Sequence, residues 1–324
     1  MLTLDDVLRA ERRLRPYLPA TPLRPSFALG PGFGGRGRSA WLKLECWQPT
    51  GSFKVRGALS TMASLTPEER GRGVVAASAG NHALGVAFAV AALGGAMRAT
   101  VFVPQTAPRA KVEKLRAFPV TVQEKGATYD EAAAEAQAHV ARTGATYVHA
   151  YEDPRTAAGQ GTCGLEILEE LPEVGTILVP VGGGGLIAGI ATAVKAQSPD
   201  VRIVAVQPEA SPALSESLRL GRPLLEYDAR PTLADGLAGG IGQMAWEHRG
   251  LIDAVVDVPE VEIERAMVAL VASDQVLAEA SGAVTVAALR AGLVPGLDGR
   301  PVVAVITGAN VDACVLARLL SAPV

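Results

Sequence analysis

The amino-acid sequence predicts an α/β protein in which parallel, open sheets are flanked by helices on both faces. Short apolar segments alternate with longer helical segments along most of the chain, which is the order that produces parallel strands joined by helices. The composition agrees, because 49% of the 324 residues are hydrophobic and only 4% are aromatic, which favours close packing of small side chains between layers. A chain of this length can form one large or two modest domains.

The elements follow from apolar runs, from glycine and proline breaks, and from capping residues such as the Thr66–Glu69 capping box. The predicted strands cover residues 41–44, 74–77, 100–104, 120–123, 146–149, 176–181, 202–206, 254–258 and 302–306. The predicted helices cover residues 3–16, 53–64, 82–93, 108–118, 130–142, 159–171, 186–196, 260–278, 282–293 and 311–320. Residues 21–28 are predicted to be rich in turns, and Gly30–Ser39 to form a flexible loop.

Charge and composition argue against several classes of protein. The formal net charge is −3 and no basic run stands out, so nucleic acid is not the expected partner. No apolar run approaches the ~20 residues that cross a bilayer, and the acidic, amphipathic start is unlike a signal peptide. Three scattered cysteines are typical of a reduced cytosolic protein. The four histidines show no metal-ligand spacing with these cysteines, so no metal site is expected.

One lysine has an unusual predicted position. Pro49 and Gly51 end the strand before it. Ser52 is typical of a helix N-cap, which places Phe53 and Lys54 in the first helical turn. The positive end of the helix dipole disfavours a cation there, and apolar neighbours favour the neutral amine. Such a lysine is a candidate nucleophile for a carbonyl group. The alternative is an ordinary surface lysine at a helix start.

Four consecutive glycines, Gly182–Gly185, separate a predicted strand from the helix that opens at Leu186. Open parallel sheets bind ligands beyond the carboxyl ends of their strands. Glycines at that point let backbone N–H groups converge on an anion at a helix N-terminus, which predicts a phosphate cradle. The alternative is a plain tight turn between the strand and the helix.

The same glycines also allow a dinucleotide site. Gly183, Gly185 and Ala188 fit the pattern G-x-G-x-x-A, and Glu209 follows the next predicted strand as a candidate ribose ligand. No Walker lysine follows the glycines, which argues against a nucleotide triphosphatase.

Three further polar segments are candidate site residues. The turn Ser78–His82 lies between a strand and a helix, where its backbone amides could hold a carboxylate and Asn81 could donate from its side chain, or the turn simply caps the helix. Thr307 follows the last predicted strand and would reach the same crevice as Lys54 if their strands are neighbours; otherwise it only ends its strand. Glu279 lies between two helices and either faces a ligand or ends a helix.

Together these segments resemble the threonine dehydratase/serine racemase group of fold-type-II pyridoxal-phosphate enzymes, from about residue 5 to the C-terminus. The resemblance implies a two-domain, tryptophan synthase beta-like fold, in which residues 1–70 plus 152–324 form a large cofactor-binding domain and 73–150 an inserted small domain. The motifs that carry it occur in one order: T-G-S-F-K-V-R-G-A around Lys54, S-A-G-N-H-A, A-G-Q-G-T at 158–162, G-G-G-G-L, L-A-D-G at 233–236, E-A-S-G at 279–282 and T-G-A-N at 307–310.

The resemblance implies pyridoxal 5'-phosphate as cofactor, attached as a Schiff base to Lys54, which would also abstract the Cα proton of the substrate. The implied cofactor contacts are Phe53 at the ring, Asn81 at the 3-hydroxyl oxygen, Gly182, Gly183, Gly184, Gly185 and Leu186 at the phosphate, and Thr307 at the ring nitrogen. The implied ligands of the substrate, mostly through backbone N–H groups, are Ser52, Ser78, Gly80, Asn81 and His82.

The implied activity is β-elimination from a small β-hydroxy amino acid, giving 2-oxobutyrate and ammonia from L-threonine and pyruvate from L-serine. The implied assembly is a homodimer or homotetramer in the cytoplasm. Alternatives within the family are a dehydratase of another β-hydroxy amino acid such as hydroxyaspartate, and a serine racemase. Alternatives outside the family are a nicotinamide-binding oxidoreductase and a catalytically silent binding protein.

The sequence departs from the pattern of this group in three ways. Ala79 stands where racemases place a second acid–base serine, so we expect elimination rather than racemisation. Gln207 and Ala213 stand where cation-dependent members have acids, so we expect no strong metal dependence, although Glu209 and Glu216 are nearby in sequence. The chain ends soon after the last motif, so we expect no feedback regulation by isoleucine through a further domain.

Overall fold

A computed structural model describes residues 1–30, 39–94 and 96–321. Within them the chain forms two sheets. The larger sheet has six strands in the order β1-β2-β10-β7-β8-β9, and the smaller has four in the order β5-β4-β3-β6. The strands are β1 (Leu23–Pro25), β2 (Ala40–Lys43), β3 (Val74–Ala77), β4 (Ala99–Val103), β5 (Thr121–Glu124), β6 (Thr146–Tyr147), β7 (Thr176–Pro180), β8 (Arg202–Pro208), β9 (Ala254–Val258) and β10 (Val302–Val305).

The predicted parallel pairing is confirmed for every pair of neighbouring strands except one. β1 runs antiparallel to β2, with Pro25 opposite Trp41, in the stretch 21–28 that was predicted to be rich in turns. β1 lies at the edge of its sheet, where a proline without an N–H group is tolerated. Residues 31–38 of the loop predicted for Gly30–Ser39 lie outside the described residues.

The α-helices cover the faces of both sheets. They are α1 (Leu4–Leu14), α2 (Lys54–Ala63), α3 (Pro67–Arg72), α4 (Asn81–Ala92), α5 (Arg109–Arg116), α6 (Tyr129–Thr143), α7 (Pro154–Glu170), α8 (Gly185–Gln197), α9 (Ala213–Leu220), α10 (Gln243–Glu247), α11 (Glu260–Ala269), α12 (Ala280–Arg290) and α13 (Ala313–Ser321). The capping box predicted at Thr66 and Glu69 is confirmed. Among the described residues, no helix combines the length and the apolar character that crossing a membrane requires.

Two helix boundaries differ from the prediction by five residues or more. α7 begins five residues early, because the Asp153 side chain accepts a hydrogen bond from Arg155 N and Pro154 suits the first helical position. α11 ends at Ala269 rather than near residue 278, and a π-helical turn with left-handed Gln275 (φ +54°) follows it. Within that turn, the buried Asp274 carboxylate accepts a 2.6 Å hydrogen bond from the N–H of Phe27 instead of facing solvent.

Alternate residues of the central strands enter two apolar layers. Leu178 and Ala304 share a buried cluster with Val284 of α12. On the opposite face, Ile177 shares a cluster with Ile190 of α8. Both faces of the larger sheet are therefore covered, as nearly continuous apolar strands require.

A buried ion network ties the larger sheet to α2 and α7. Lys43 Nζ lies 2.6 Å from Glu166 Oε2, and Arg56 Nη1 lies 2.6 Å from Glu166 Oε1. Arg56 Nε lies 2.7 Å from Glu45 Oε2. Burial raises the pKa of Glu45, but the charge and hydrogen bonds of Arg56 outweigh that effect and lower the pKa to about 2.

Candidate active site

Three neighbouring strands of the larger sheet deliver the main candidate residues to one edge. β2, β10 and β7 are adjacent and parallel. Their carboxyl ends lead to Lys54, to Thr307 and to the glycine loop Gly182–Gly185 respectively. The adjacency that the interpretation of Thr307 required is therefore present.

Lys54 is the first residue of α2, but the predicted cap is wrong. Phe53, not Ser52, occupies the N-cap position, and no side chain caps the helix. The extended backbone continues one residue further because Ser52 pairs with Gly308 and the N–H of Phe53 donates to Thr307 O over 3.0 Å. This pairing fixes the start of α2 against the end of β10.

The amine of Lys54 lies near an aromatic ring, a backbone carbonyl group and the charge of Glu279. Nζ donates to Ala150 O over 3.3 Å and lies 5.0 Å from the centroid of the Phe53 ring. Burial lowers the pKa of Lys54 to about 8, although the charge of Glu279 opposes the shift. Gly85 of α4 allows this packing, because a Cβ there would lie 3.0 Å from Lys54 O. The structure thus supports the prediction that this amine loses its proton more easily than an ordinary lysine does.

The glycine loop has no room for side chains. A Cβ on Gly183 would lie 2.5 Å from Tyr151 Cγ, and a Cβ on Gly182 would lie 3.0 Å from Gly236 O. Gly184 has φ +87° and precedes the first residue of α8, Gly185. Close packing and a left-handed backbone explain why glycines occupy these positions.

The backbone N–H groups of this loop are available to a ligand. Those of Gly183, Gly184 and Gly185 have no hydrogen-bond partner within the described residues. Leu186 is the second residue of α8, so its N–H also belongs to the unpaired helix start. Such an arrangement binds an anion.

Ala150 connects Lys54 to the glycine loop. Its carbonyl oxygen accepts from Lys54 Nζ and, over 3.2 Å, from Gln160 Nε2. Gln160 Oε1 is buried without a partner among the described atoms, and a Cβ on Gly185 would lie 2.8 Å from it. Sequence reasoning gave no role to Gln160 or Tyr151. The A-G-Q-G-T motif could have indicated the first, since it lies in a helix among glycines.

The Ser78–His82 turn faces this edge from the smaller sheet. Ser78 Oγ accepts from the N–H of Gly80 over 3.1 Å, and Asn81 opens α4 with no side-chain cap at Gly80. His82 Nε2 lies 2.8 Å from Val148 O, and burial lowers the pKa of His82 to about 3. The imidazole is neutral and turned into the protein. Its Nδ1 is buried without a partner among the described residues, so this atom and the backbone of His82 both remain available to a bound group.

Two hydroxyl groups lie beside the lysine. Ser52 Oγ is fully buried and has no partner among the described residues. Thr307 is almost fully buried, and its Oγ1 donates to Ser281 O over a long 3.3 Å. Both hydroxyls can therefore serve a bound ligand at little cost to the protein.

Glu279, for which two interpretations were open, faces the site. Its Oε1 accepts from Asn81 Nδ2 over 2.8 Å. Burial raises the pKa of Glu279 to about 7, and the nearby Asp235 adds to the shift. A Cβ on Gly308 would collide with this carboxylate.

The positions of the family's cation site hold other chemistry. Gln207 Oε1 accepts from the N–H of Leu214 over 3.0 Å, and Ala213 is a buried helix residue. In the described ranges, no group of three or more His, Cys, Asp or Glu residues could hold a metal ion.

The fold and the strand-end site define an α/β protein with unpaired N–H groups, suited to an anion, at the same sheet edge as a lysine of lowered pKa. The family model described as pyridoxal-phosphate dependent enzyme matches residues 14–308, and the chain belongs to this family. Because the chain belongs to this family, the alternative of a nicotinamide-binding oxidoreductase is set aside. The resemblance inferred from the motifs is confirmed, as are the fold class and the cofactor.

Particular relatives narrow the class. The chain is 43% identical over 323 residues to an L-threonine ammonia-lyase of Thermotoga maritima, covering 99% of this chain and 79% of the relative. The structure of maize serine racemase is similar with a TM-score of 0.89 at 32% identity, covering 98% of this chain and 96% of that one. The crystal structure of a T.th. threonine deaminase is similar with a TM-score of 0.86 at 37% identity, covering 96% and 99%.

The residues present fit pyridoxal phosphate. Unpaired N–H groups at the start of α8 suit a phosphate, and Lys54 offers an amine of lowered pKa to an aldehyde. The buried, unpartnered Ser52 Oγ and Gln160 Oε1 are the kind of atoms that a bound ligand satisfies.

Proposed function

We propose that this protein is an L-threonine ammonia-lyase that also acts on L-serine. The observation that carries the proposal is the position of Lys54. Burial lowers the pKa of its amine to about 8, and the amine donates to the same Ala150 carbonyl oxygen as Gln160, which lies beside the glycine loop. The substrate is supported by the 43% identity to an L-threonine ammonia-lyase and by the likeness to a threonine deaminase.

Pyridoxal phosphate, when bound, supplies an electron sink that acidifies the Cα–H of an amino acid. Gly182–Gly185 and Leu186 would hold its phosphate, and Phe53 would lie beside its ring. Asn81 would donate to the 3-hydroxyl oxygen. Thr307 would offer the ring nitrogen a neutral hydroxyl, which favours the protonated nitrogen less than a carboxylate does. The resulting moderate electron withdrawal suits loss of a β-hydroxyl group.

The chain's own residues bind the substrate and move its proton. The free Ser52 hydroxyl and the N–H groups of Asn81 and His82 at the start of α4 would hold the substrate carboxylate. The N–H groups of Ser78 and Gly80 already have acceptors within the protein, so they would have to exchange them to contribute. Lys54 takes up the Cα proton, because a pKa of about 8 makes a sizeable fraction of the amine neutral near pH 7.5.

Serine racemisation is the second candidate, favoured by the likeness to maize serine racemase. A racemase needs a second acid–base group on the substrate face opposite the lysine. The residue after Ser78 is Ala79, which packs against the apolar cluster of Ala83 and Leu84 and carries no such group. We therefore place elimination first.

The organisation of the molecule completes the proposal. We infer that residues 1–70 and 152–324 form the large domain and 73–150 the small one, since β3 to β6 all lie within the latter range. We also infer a homodimer or homotetramer, as the family resemblance implies. A cytoplasmic location is supported by the scattered, unpaired cysteines.

A substrate panel tests the proposal. Purified protein loaded with pyridoxal phosphate is incubated with L-threonine, L-serine, D-serine and 3-hydroxyaspartate, and 2-oxo acids, ammonia and serine enantiomers are measured. We expect 2-oxobutyrate and ammonia in equal amounts from L-threonine, loss of this activity in Lys54→Ala, and little change in Lys125→Ala, which replaces an exposed lysine. Higher turnover of hydroxyaspartate than of threonine, or serine racemisation faster than elimination, would overturn it.

A further inference from the structure

The side-chain amide of Asn81 is held at both ends. Its Nδ2 donates to Glu279 Oε1 over 2.8 Å, and its Oδ1 accepts from Asn310 Nδ2 over 2.7 Å. An amide with an acceptor at its nitrogen and a donor at its oxygen has one favourable orientation, since flipping it would break both bonds. One hydrogen of Asn81 Nδ2 is used by Glu279, and the second is left for another acceptor.

Asn310 is itself fixed in the same direction. Its Nδ2 also donates to Thr50 O over 2.9 Å, so both of its amide hydrogens are used. Its Oδ1 accepts from Lys114 Nζ over 2.9 Å. A chain of hydrogen bonds therefore runs from the Lys114 ammonium through two amides to the Glu279 carboxylate, and each bond polarises the next.

The chain of bonds joins the two sheets at the lysine. Lys114 and Asn81 belong to helices beside the smaller sheet, whereas Glu279 and Asn310 belong to loops of the larger one. Thr50 lies four residues before Lys54 on the segment that leads into α2. The backbone is fixed as well, because the N–H of Glu279 donates to Gly308 O over 2.9 Å.

We propose that Glu279 and Asn310 are positioning residues that orient the Asn81 amide toward the cofactor, and that the bond from Lys114 to Asn310 couples this orientation to docking of the smaller sheet. The inference rests on the proposed role of Asn81 as a donor to the 3-hydroxyl oxygen. Neither Glu279 nor Asn310 contacts the reacting atoms in this account. Both reach the cofactor ring through one amide. The charge of Glu279 also acts on Lys54, and comparing cofactor binding at about pH 9, where Lys54 is mostly neutral, removes that second effect.

A double-mutant cycle on cofactor binding tests the inference. Pyridoxal phosphate dissociation constants are measured by equilibrium dialysis, with visible spectra, for Asn81→Ala, Glu279→Ala, Asn310→Ala and the doubles with Asn81→Ala. We expect each single change to weaken binding about tenfold, because each removes or frees a hydrogen bond to a polar group. In the Asn81→Ala background, Glu279→Ala and Asn310→Ala should have almost no further effect.

Conservative and surface variants complete the test. Glu279→Gln keeps an acceptor for Asn81 Nδ2, so binding should stay within about threefold of the parent. Lys114→Ala should weaken binding less than Asn310→Ala does, whereas Arg109→Ala, an exposed change on the same helix, should have no effect. Thermal melting of each apo-protein shows that the variant is folded.

The outcomes separate this inference from the proposed function. Full effects of Glu279→Ala in the Asn81→Ala background, or no rescue by Glu279→Gln, would overturn the positioning role whatever the substrate is. Absence of threonine turnover with an intact cycle would overturn the proposed substrate and leave the positioning role standing.

Discussion

Arg56 and Glu45 form a two-point ion pair inside the protein, with Nε–Oε2 and Nη2–Oε1 distances of 2.7 and 2.8 Å. Their side chains are 2% and 0% exposed. Arg56 lies two residues after Lys54, and its second pair with Glu166 connects α2 to α7. The pair therefore holds the helix that presents the lysine.

Removing one partner of this pair should destabilise the protein strongly. Arg56→Ala removes the two-point partner of the buried Glu45 and leaves it with the charge of Lys43 alone, which costs about 3–5 kcal/mol of unfolding free energy. Urea unfolding followed by circular dichroism measures the loss. Arg265→Ala, which breaks a surface pair with Glu262, is the matched control and should cost less than about 1 kcal/mol. Equal losses in the two variants would contradict this account.

The position of the site could be predicted from the sequence, because it depends on local signals. A run of glycines after an apolar strand and a lysine at a helix start each point to a ligand at a strand end. The parallel order of strands then brings Lys54, the glycine loop and Thr307 together.

Features set by tertiary contacts could not be predicted. Lys43 and Glu45 alternate with apolar residues as solvent-facing strand residues do, yet partners distant in sequence bury both. Ser52 has the chemistry of an N-cap, but its pairing with Gly308 moves the helix start. The partners of Asn81 come from segments about 200 residues away.

A side chain in the glycine loop should weaken cofactor binding strongly. The Cβ of Gly183→Ala would lie 2.5 Å from Tyr151 Cγ, so the loop must move away from the ring. We expect the pyridoxal phosphate dissociation constant to rise more than tenfold, measured by equilibrium dialysis. Gly250→Ala is the matched control, since a Cβ there meets nothing within 4 Å. Unchanged binding in Gly183→Ala would contradict the proposal that the glycine loop binds the cofactor phosphate.

Attachment of the cofactor to the apo-protein should depend on pH with a midpoint near the pKa of Lys54. Only the neutral amine attacks an aldehyde, so the rate should rise with pH, reach half its maximum near pH 8, the value to which burial lowers this pKa, and level off at higher pH. Glu279 raises the pKa of Lys54, so Glu279→Gln should move the midpoint to lower pH. Stopped-flow absorbance measures the rate. A midpoint near the ~10.4 of an ordinary lysine would count against the burial argument.

Removal of divalent cations should leave activity and stability unchanged. The side-chain oxygen Oε1 of Gln207 already accepts hydrogen bonds from the N–H groups of Leu214 and Ser215, over 3.0 and 3.4 Å. Dialysis against EDTA, followed by threonine turnover and thermal melting, tests this. Activity that EDTA abolishes and Mg²⁺ restores would show that the protein binds a cation although Gln207 replaces an acidic residue.

The central claim is that Lys54 carries the cofactor. Loaded enzyme is reduced with borohydride and digested, and mass spectrometry locates the attached pyridoxyl group. The account predicts loss of the visible absorbance and close to one group per chain on the peptide containing Lys54. A group found on exposed lysines such as Lys125, with Lys54 unmodified, would contradict it.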